Sequence, residues 1–286
     1  MKIIKANIGN WYIECIPEDG ARISVLQFKG KNLFTRNPGS FRPPEKFYGE
    51  YETRPVYGYD DCFPTVDPCT YPSDIYECRD HGELCWAKWQ VRFNDNRLFC
   101  YTKCSNPPVT FRRTLEFTEN SIIWQFEVVN LTAERLPFLH VMHGLMPLDE
   151  IGDMQFPEFK AIVDENSSEI PAFKSSRELA DYLLAVKSGE FKMFLLNNID
   201  GNTIKISFRN GMDLMIDFPA ELFSTIGIWW NNSGYPDEEG LKRCECAFEP
   251  IPGTCSNLSD SFKKGSYLMT EPGKTLAWEV KWTMTN

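Results

Sequence analysis

The chain holds only three histidines, and two of them, His140 and His143, fall in one apolar stretch from Leu136 to Pro147. Histidine titrates near neutral pH, so it both gives and takes protons under ordinary conditions. Read as a strand from Phe138 to Met146, the stretch puts Leu139, Val141 and His143 on one face and Phe138, His140 and Met142 on the other. Only one of the two histidines can face a given cleft, and either can instead be a hydrogen-bonded scaffold residue. In the stretch Arg243 to Glu249, Cys244, Cys246 and Phe248 share the apolar face, which leaves Glu249 on the opposite face with Glu245 and Ala247. A carboxylate directed away from the core is available for chemistry, or is simply solvated. The third histidine, His81, lies in Arg79-Asp80-His81-Gly82-Glu83-Leu84.

Such groups need a scaffold that brings distant segments together, and the pattern along the chain is one of strands. Trp11, Ile13 and Cys15 alternate with Tyr12 and Glu14, then Ala21, Ile23 and Val25 alternate beyond a Pro-Glu-Asp-Gly turn. Ala87, Trp89, Val91 and Phe93 repeat the period, as do Val109, Phe111, Leu115 and Phe117, then Ile122, Trp124, Phe126 and Val128, with polar turns between them. This is an antiparallel meander with one buried face per strand. Further strands are expected at 191–196, 204–208, 214–218, 226–230, 243–249 and 267–270, and Leu276 to Met284 alternates to the end. Residues 37–76, rich in Pro, Gly, Tyr and Asp, read as long ordered loops. One helix is predicted, capped by Ser175 with Glu178, its stripe formed by Leu179, Tyr182, Leu183 and Val186 before Gly189. Some fifteen short strands with one or two helices indicate an all-β fold, a large antiparallel sandwich. No linker divides the chain, so residues 1–286 are expected to form a single domain.

Composition narrows the partners. With 42% hydrophobic and 14% aromatic residues, the 286-residue chain can fill a sizeable core. A formal charge of −10 disfavours nucleic acid and anionic membranes, both of which require a basic face. The first residues contain no apolar targeting segment and no later run approaches a membrane span, so a cytoplasmic location is expected. The ten cysteines then read as reduced thiols, and Cys62, Cys69, Cys78 and Cys85 are spaced too loosely for structural zinc pairs.

Taken in order, Asp80-His81-Gly82-Glu83-Leu84, Pro137-Phe138 to His143, Glu249-Pro250 and Glu271-Pro272-Gly273 resemble the segments of the aldose 1-epimerase, or galactose mutarotase-like, family. The resemblance runs through nearly the whole chain. It implies a β-supersandwich and an isomerase that interconverts sugar anomers, with His143 as general acid, Glu249 as general base and His81 as a sugar-binding, polarising residue. Neither metal nor cofactor is needed for that reaction, because hemiacetals already open slowly in water. The partner implied is a small-molecule sugar, and the chain would act as a monomer or homodimer.

Other residues are candidates for contacts to sugar hydroxyls. Asp61, beside Asp60, could accept such bonds or belong to an Asx-capped turn. Trp229 and Trp230 lie on opposite faces, so one can stack on a sugar ring; Trp230, next to Asn231, is the candidate. Arg54 could bind hydroxyls or a negatively charged substituent. Gly144-Leu145-Met146 departs from the aromatic and Asn-containing segment of typical mutarotases, which leaves the substrate open. Two other functions fit the same frame: a sugar-binding protein without turnover, and a lyase or hydrolase, the last requiring a carboxyl pair about 5–9.5 Å apart.

Overall fold

The computed structural model describes residues 1–73, 76–167 and 170–285. Its largest sheet has eight antiparallel strands in the order Ile151–Gln155, Thr203–Phe208, Asp213–Asp217, Thr275–Thr285, Ser121–Asn130, Pro108–Phe117, Arg97–Ser105 and Gln90–Asn94. The meander read from the sequence forms one side of it. Leu115 faces Trp124 and Phe117 faces Ile122 in register, so the inward row of each strand is continuous with that of its neighbour. Such same-face pairs are what period-two apolar patterning stabilises.

Two smaller sheets pack against that inward face. One contains Ile4–Ile8, Trp11–Ile16, Arg22–Phe28, Tyr59–Cys62 and Val141–Gly144, with Lys31–Asn32 paired to the third. The other runs Met146–Pro147, Cys244–Ile251, Thr225–Asn232, Glu190–Asp200 and Glu158–Asp164. Tyr59 against Trp124, with ring centroids 4.7 Å apart, and Phe63 against Phe111, at 5.6 Å, join the layers. The result is a large antiparallel β-sandwich, with residues from all three sheets in one apolar cluster.

Helix Ser176–Leu184 begins at Ser175, whose hydroxyl accepts from the Glu178 amide, and buries Leu179, Ala180 and Leu183; it ends before Val186. A second helix, Leu258–Lys263, is capped by Asn257. Two expectations need correction. Residues 37–76 are not all loop: Tyr59–Cys62 is a strand with all four residues buried, so the alternation that marks half-buried strands is missing. Asp74 and Ile75 of that stretch lie outside the described residues. The stretch from Phe138 to Met146 is not one strand but passes through three sheets, as Leu136–Phe138, Val141–Gly144 and Met146–Pro147.

Inside the sandwich, consecutive aspartates of one strand point opposite ways. Asp61 enters the core, where it pairs with Arg113 of the eight-stranded sheet and accepts from the Tyr59 hydroxyl at 2.5 Å, with His140 Nε2 at 3.1 Å. Asp60 faces Arg22 at 2.9 Å and the Tyr51 hydroxyl at 2.9 Å. Burial pushes both carboxyls up, but Arg22 and Arg54 beside Asp60, and Arg113 and His140 beside Asp61, outweigh it and hold both below the usual range. Depressed folded-state values mean that these groups contribute stability above an unfolded pKa of about 3.9, and that it is lost as pH falls through the folded values. Arg113→Ala leaves Asp61 buried without its cation, and urea unfolding at neutral pH is expected to show a loss of about 3–5 kcal/mol.

Candidate functional site

The segment through His143 crosses from one small sheet to the other, so His143 stands where those sheets meet. Across the seam, Cys244–Ile251 presents Glu249 with Glu245 and Ala247 on one face, as their parity requires. His143 Nδ1 lies 2.8 Å from Glu249 Oε1. A carboxylate only accepts, so Nδ1 carries the proton of this bond and Nε2 is left free. Burial lowers the proton affinity of the His143 ring, while the bond to Glu249 and the nearby Asp60 and Glu245 charges raise it further; its pKa ends above the ordinary histidine value.

His81 reaches the same place from a turn. Its φ of 59° lies in the left-handed region, and Gly82 follows at 67°. A Cβ on Gly82 would come within 2.0 Å of the Phe63 carbonyl oxygen, so only glycine allows the turn to dock there. His81 Nδ1 lies 2.7 Å from Asp80 Oδ1, while Asp80 Oδ2 accepts from the Tyr51 amide at 2.8 Å. The Tyr51 ring stacks on His81 with centroids 3.7 Å apart and meets His143 edge-on at 5.7 Å. The two imidazoles stand nearly perpendicular, 5.0 Å apart.

These groups line a cavity of about 280 Å³. Its far wall is aromatic: Trp229, Phe191 and Tyr235 meet with centroids 5.4–5.6 Å apart. Arg243 also lines it, bonded to both Glu52 oxygens at 2.8 and 3.0 Å and to Glu245 at 2.7 Å. Glu245 accepts from the Trp229 indole at 3.3 Å. The carboxylates of Asp67 and Glu165 complete a lining rich in negative charge.

Of the residues singled out in the sequence, the structure brings His143, Glu249 and His81 together and leaves four elsewhere. Trp230 is buried against Phe248, and it is Trp229 that faces the cavity. The register explains this, since Trp229 sits opposite Ala247, on the face of Glu249, and Trp230 opposite Cys246. Asn231 is also buried, accepting from the Gly234 and Tyr235 amides at 3.0 Å and donating to the Tyr235 carbonyl at 2.7 Å, so it holds a turn. Asp61 is committed to Arg113 in the core. Arg54 lies behind Tyr51, bonded to Asp19 and the Cys85 carbonyl and 3.6 Å from Asp60. The sequence reading missed Tyr51, Asp80 and Arg243. Asp80 precedes a marked histidine, but nothing local distinguishes Tyr51.

The fold is that of galactose mutarotase-like proteins. The chain is similar to the Slr1438 protein from Synechocystis sp. PCC 6803, with a TM-score of 0.77 at 14% identity over 99% of this chain and 96% of the other. It is also similar to a candidate aldose 1-epimerase from Escherichia coli K12, with a TM-score of 0.75 at 13% identity over 99% of both chains. A galactose mutarotase related enzyme from Lactobacillus acidophilus gives 0.68 at 14%, over 100% and 98%. No protein-family model matches the sequence. A stretch of 69 residues is 35% identical to the 31 kDa protein of Beet necrotic yellow vein virus (isolate Japan/S), spanning 24% of this chain and 22% of that protein. No helix among the described residues is long and apolar enough to cross a membrane.

The positions of Trp230 and Asn231 define their substitutions. Trp230→Ala is expected to lower the unfolding free energy by about 3–5 kcal/mol through the void it leaves. Asn231→Ala, which orphans two amides, is expected to cost about 1–3 kcal/mol. Chemical unfolding of the two variants measures both.

Proposed function

We propose that the chain is an aldose 1-epimerase-like isomerase, one domain acting in the cytoplasm on a small sugar. The observation that carries this reading is the 2.8 Å contact between His143 and Glu249 at the wall of a ring-sized cavity. Exchange of anomers needs a base at the C1 hydroxyl and an acid at the ring oxygen. Those two oxygens sit on the same carbon, so the groups serving them must also be neighbours. Glu249 takes the hydroxyl proton while His143 protonates the ring oxygen; the C1–C2 bond of the open aldehyde rotates, and closure on the other face returns both protons. His81, its Nδ1 proton committed to Asp80, is placed to polarise the sugar, and Trp229 offers a face for the ring.

The lining also speaks for a sugar without a charged substituent. The basic side chains of the lining are Arg243, His81 and His143, each already bonded to a carboxylate, and Arg54 does not line the cavity. Among the described residues, a phosphate or uronate would enter a negative lining with no unpaired basic side chain to meet it. A glycosidase pair of Glu249 with Glu245 is disfavoured for a related reason. Glu245, the other acid on the Glu249 face, is four residues along the strand, about 13 Å at the backbone, beyond the span of a glycosidase pair. It is also held by Arg243 and Trp229.

Two outcomes test the proposal by NMR of anomer exchange. Glu249→Gln is expected to slow acceleration of a neutral aldose by about 10²–10⁴-fold. Unchanged exchange in this variant would remove Glu249 from the mechanism, and no acceleration by the wild type on any aldose would leave a binding protein. In the same assay, neutral aldoses are expected to react faster than their 6-phosphates or uronic acids, and a preference for the charged sugars would refute the reading of the lining.

A further inference from the structure

We propose that Cys62, His81 and His143 form a binding site for a thiophilic divalent cation of the zinc class. One donor atom from each of the three lies within 4.8 Å of the others. Bond lengths of about 2.3 Å to sulfur and 2.0–2.1 Å to nitrogen place tetrahedral ligand atoms roughly 3.3–3.7 Å apart, so closing on an ion moves these side chains by no more than about 1 Å.

The arrangement around the imidazoles supports this more than proximity does. Metal-binding histidines characteristically donate their second ring N–H to a carboxylate, which fixes the tautomer and aims the free nitrogen at the ion. Both histidines have that partner: Asp80 at 2.7 Å from His81 Nδ1 and Glu249 at 2.8 Å from His143 Nδ1. Each therefore keeps Nε2 as a lone-pair donor. Tyr51, stacked on His81 and bonded to Asp60, restricts the ring that would otherwise turn away.

Cys62 supplies the thiolate. It lies on the strand beside that of His143, where Cys62 pairs with Val141 and Asp60 with His143. It also packs with the apolar side chains of Val66, Val141, Leu195 and Ile251. Two imidazoles and a thiolate suit zinc, cobalt or copper and not magnesium or calcium, which take oxygen ligands. On binding, the metal–sulfur bond forms as the thiol releases its proton to solvent, and both Nδ1 protons stay on the imidazole rings, donated to Asp80 and Glu249. The carboxylates of Asp60, Asp80 and Glu249 surround the ion with charge of the opposite sign, and three protein ligands leave the fourth position for water or a ligand in the cavity.

The site does not rest on the isomerase reading. If both hold, metal and proton transfer compete for His143 Nε2, and an added thiophilic cation blocks anomer exchange. The test is a titration of the full chain with cobalt(II), followed by thiolate-to-cobalt charge-transfer absorption. One equivalent per chain is expected to develop the band. Cys62→Val, close in volume and compatible with apolar neighbours, is expected to abolish it while thermal unfolding shows an intact fold. Asp80→Asn is expected to keep the band but weaken affinity by about 10–100-fold. No band at excess cobalt, or a band unchanged in Cys62→Val, overturns the proposal, and neither result bears on exchange by the metal-free protein.

Discussion

Everything near the cavity hangs on two consecutive aspartates that face opposite ways. Asp61 ties its strand to Arg113 in the opposing sheet, and Asp60 ties it to Arg22 in the neighbouring strand. All four side chains are withdrawn from water, so each pair offsets a large desolvation penalty only while both members are present and in place. Apolar contacts alone would tolerate small slips between the sheets. A buried carboxylate that must meet a guanidinium does not. Asp60 then passes this constraint on, because it also holds the Tyr51 hydroxyl, Tyr51 stacks on His81, and the Tyr51 amide anchors the carboxylate that orients His81.

The second constraint is steric. The chain leaves one small sheet at Gly144 and joins the other at Met146. A Cβ on Gly144 would lie 2.9 Å from the Phe34 ring, so the crossing is made where side-chain volume is least. That crossing sets His143 beside a strand from the other sheet. A histidine and a carboxylate from distant parts of the sequence thereby become neighbours.

Much of this was legible in the sequence, for a physical reason. Strands with one wet face alternate, so the meander from Val109 to Val128 and the final strand from Leu276 to Met284 could be read as strands with one buried face. Parity likewise put Glu249 on the face of Glu245. What failed were positions whose meaning is set by a tertiary partner. The strand of Asp60 and Asp61 is buried on both faces and shows no alternation. Arg113 occupies an inward row otherwise made of Val109, Phe111, Leu115 and Phe117, and the opposing Asp61 explains it. Parity put Trp229 and Trp230 on opposite faces, but choosing between them required knowing that Trp229 sits across from Ala247. Arg54 and Asn231 carry groups that bind sugars in general, yet here those groups satisfy the protein's own carboxylate, carbonyl and amides.

The two histidines show how one arrangement can serve more than one chemistry. Each has its Nδ1 proton committed to a carboxylate, so each offers a lone pair of fixed direction at Nε2. Against a sugar, that nitrogen accepts from a hydroxyl or, once protonated, donates to the ring oxygen. Against a soft cation, with Cys62 alongside, it is a ligand. The carboxylates favour both, since an imidazolium and a metal ion are each positive, and the same negative lining turns away anionic ligands. What decides between the two is shape: the wall of Trp229, Phe191 and Tyr235 adds apolar area that a sugar ring can cover and a bare ion cannot, so ring binding gains from the whole cavity while metal binding gains only from its corner.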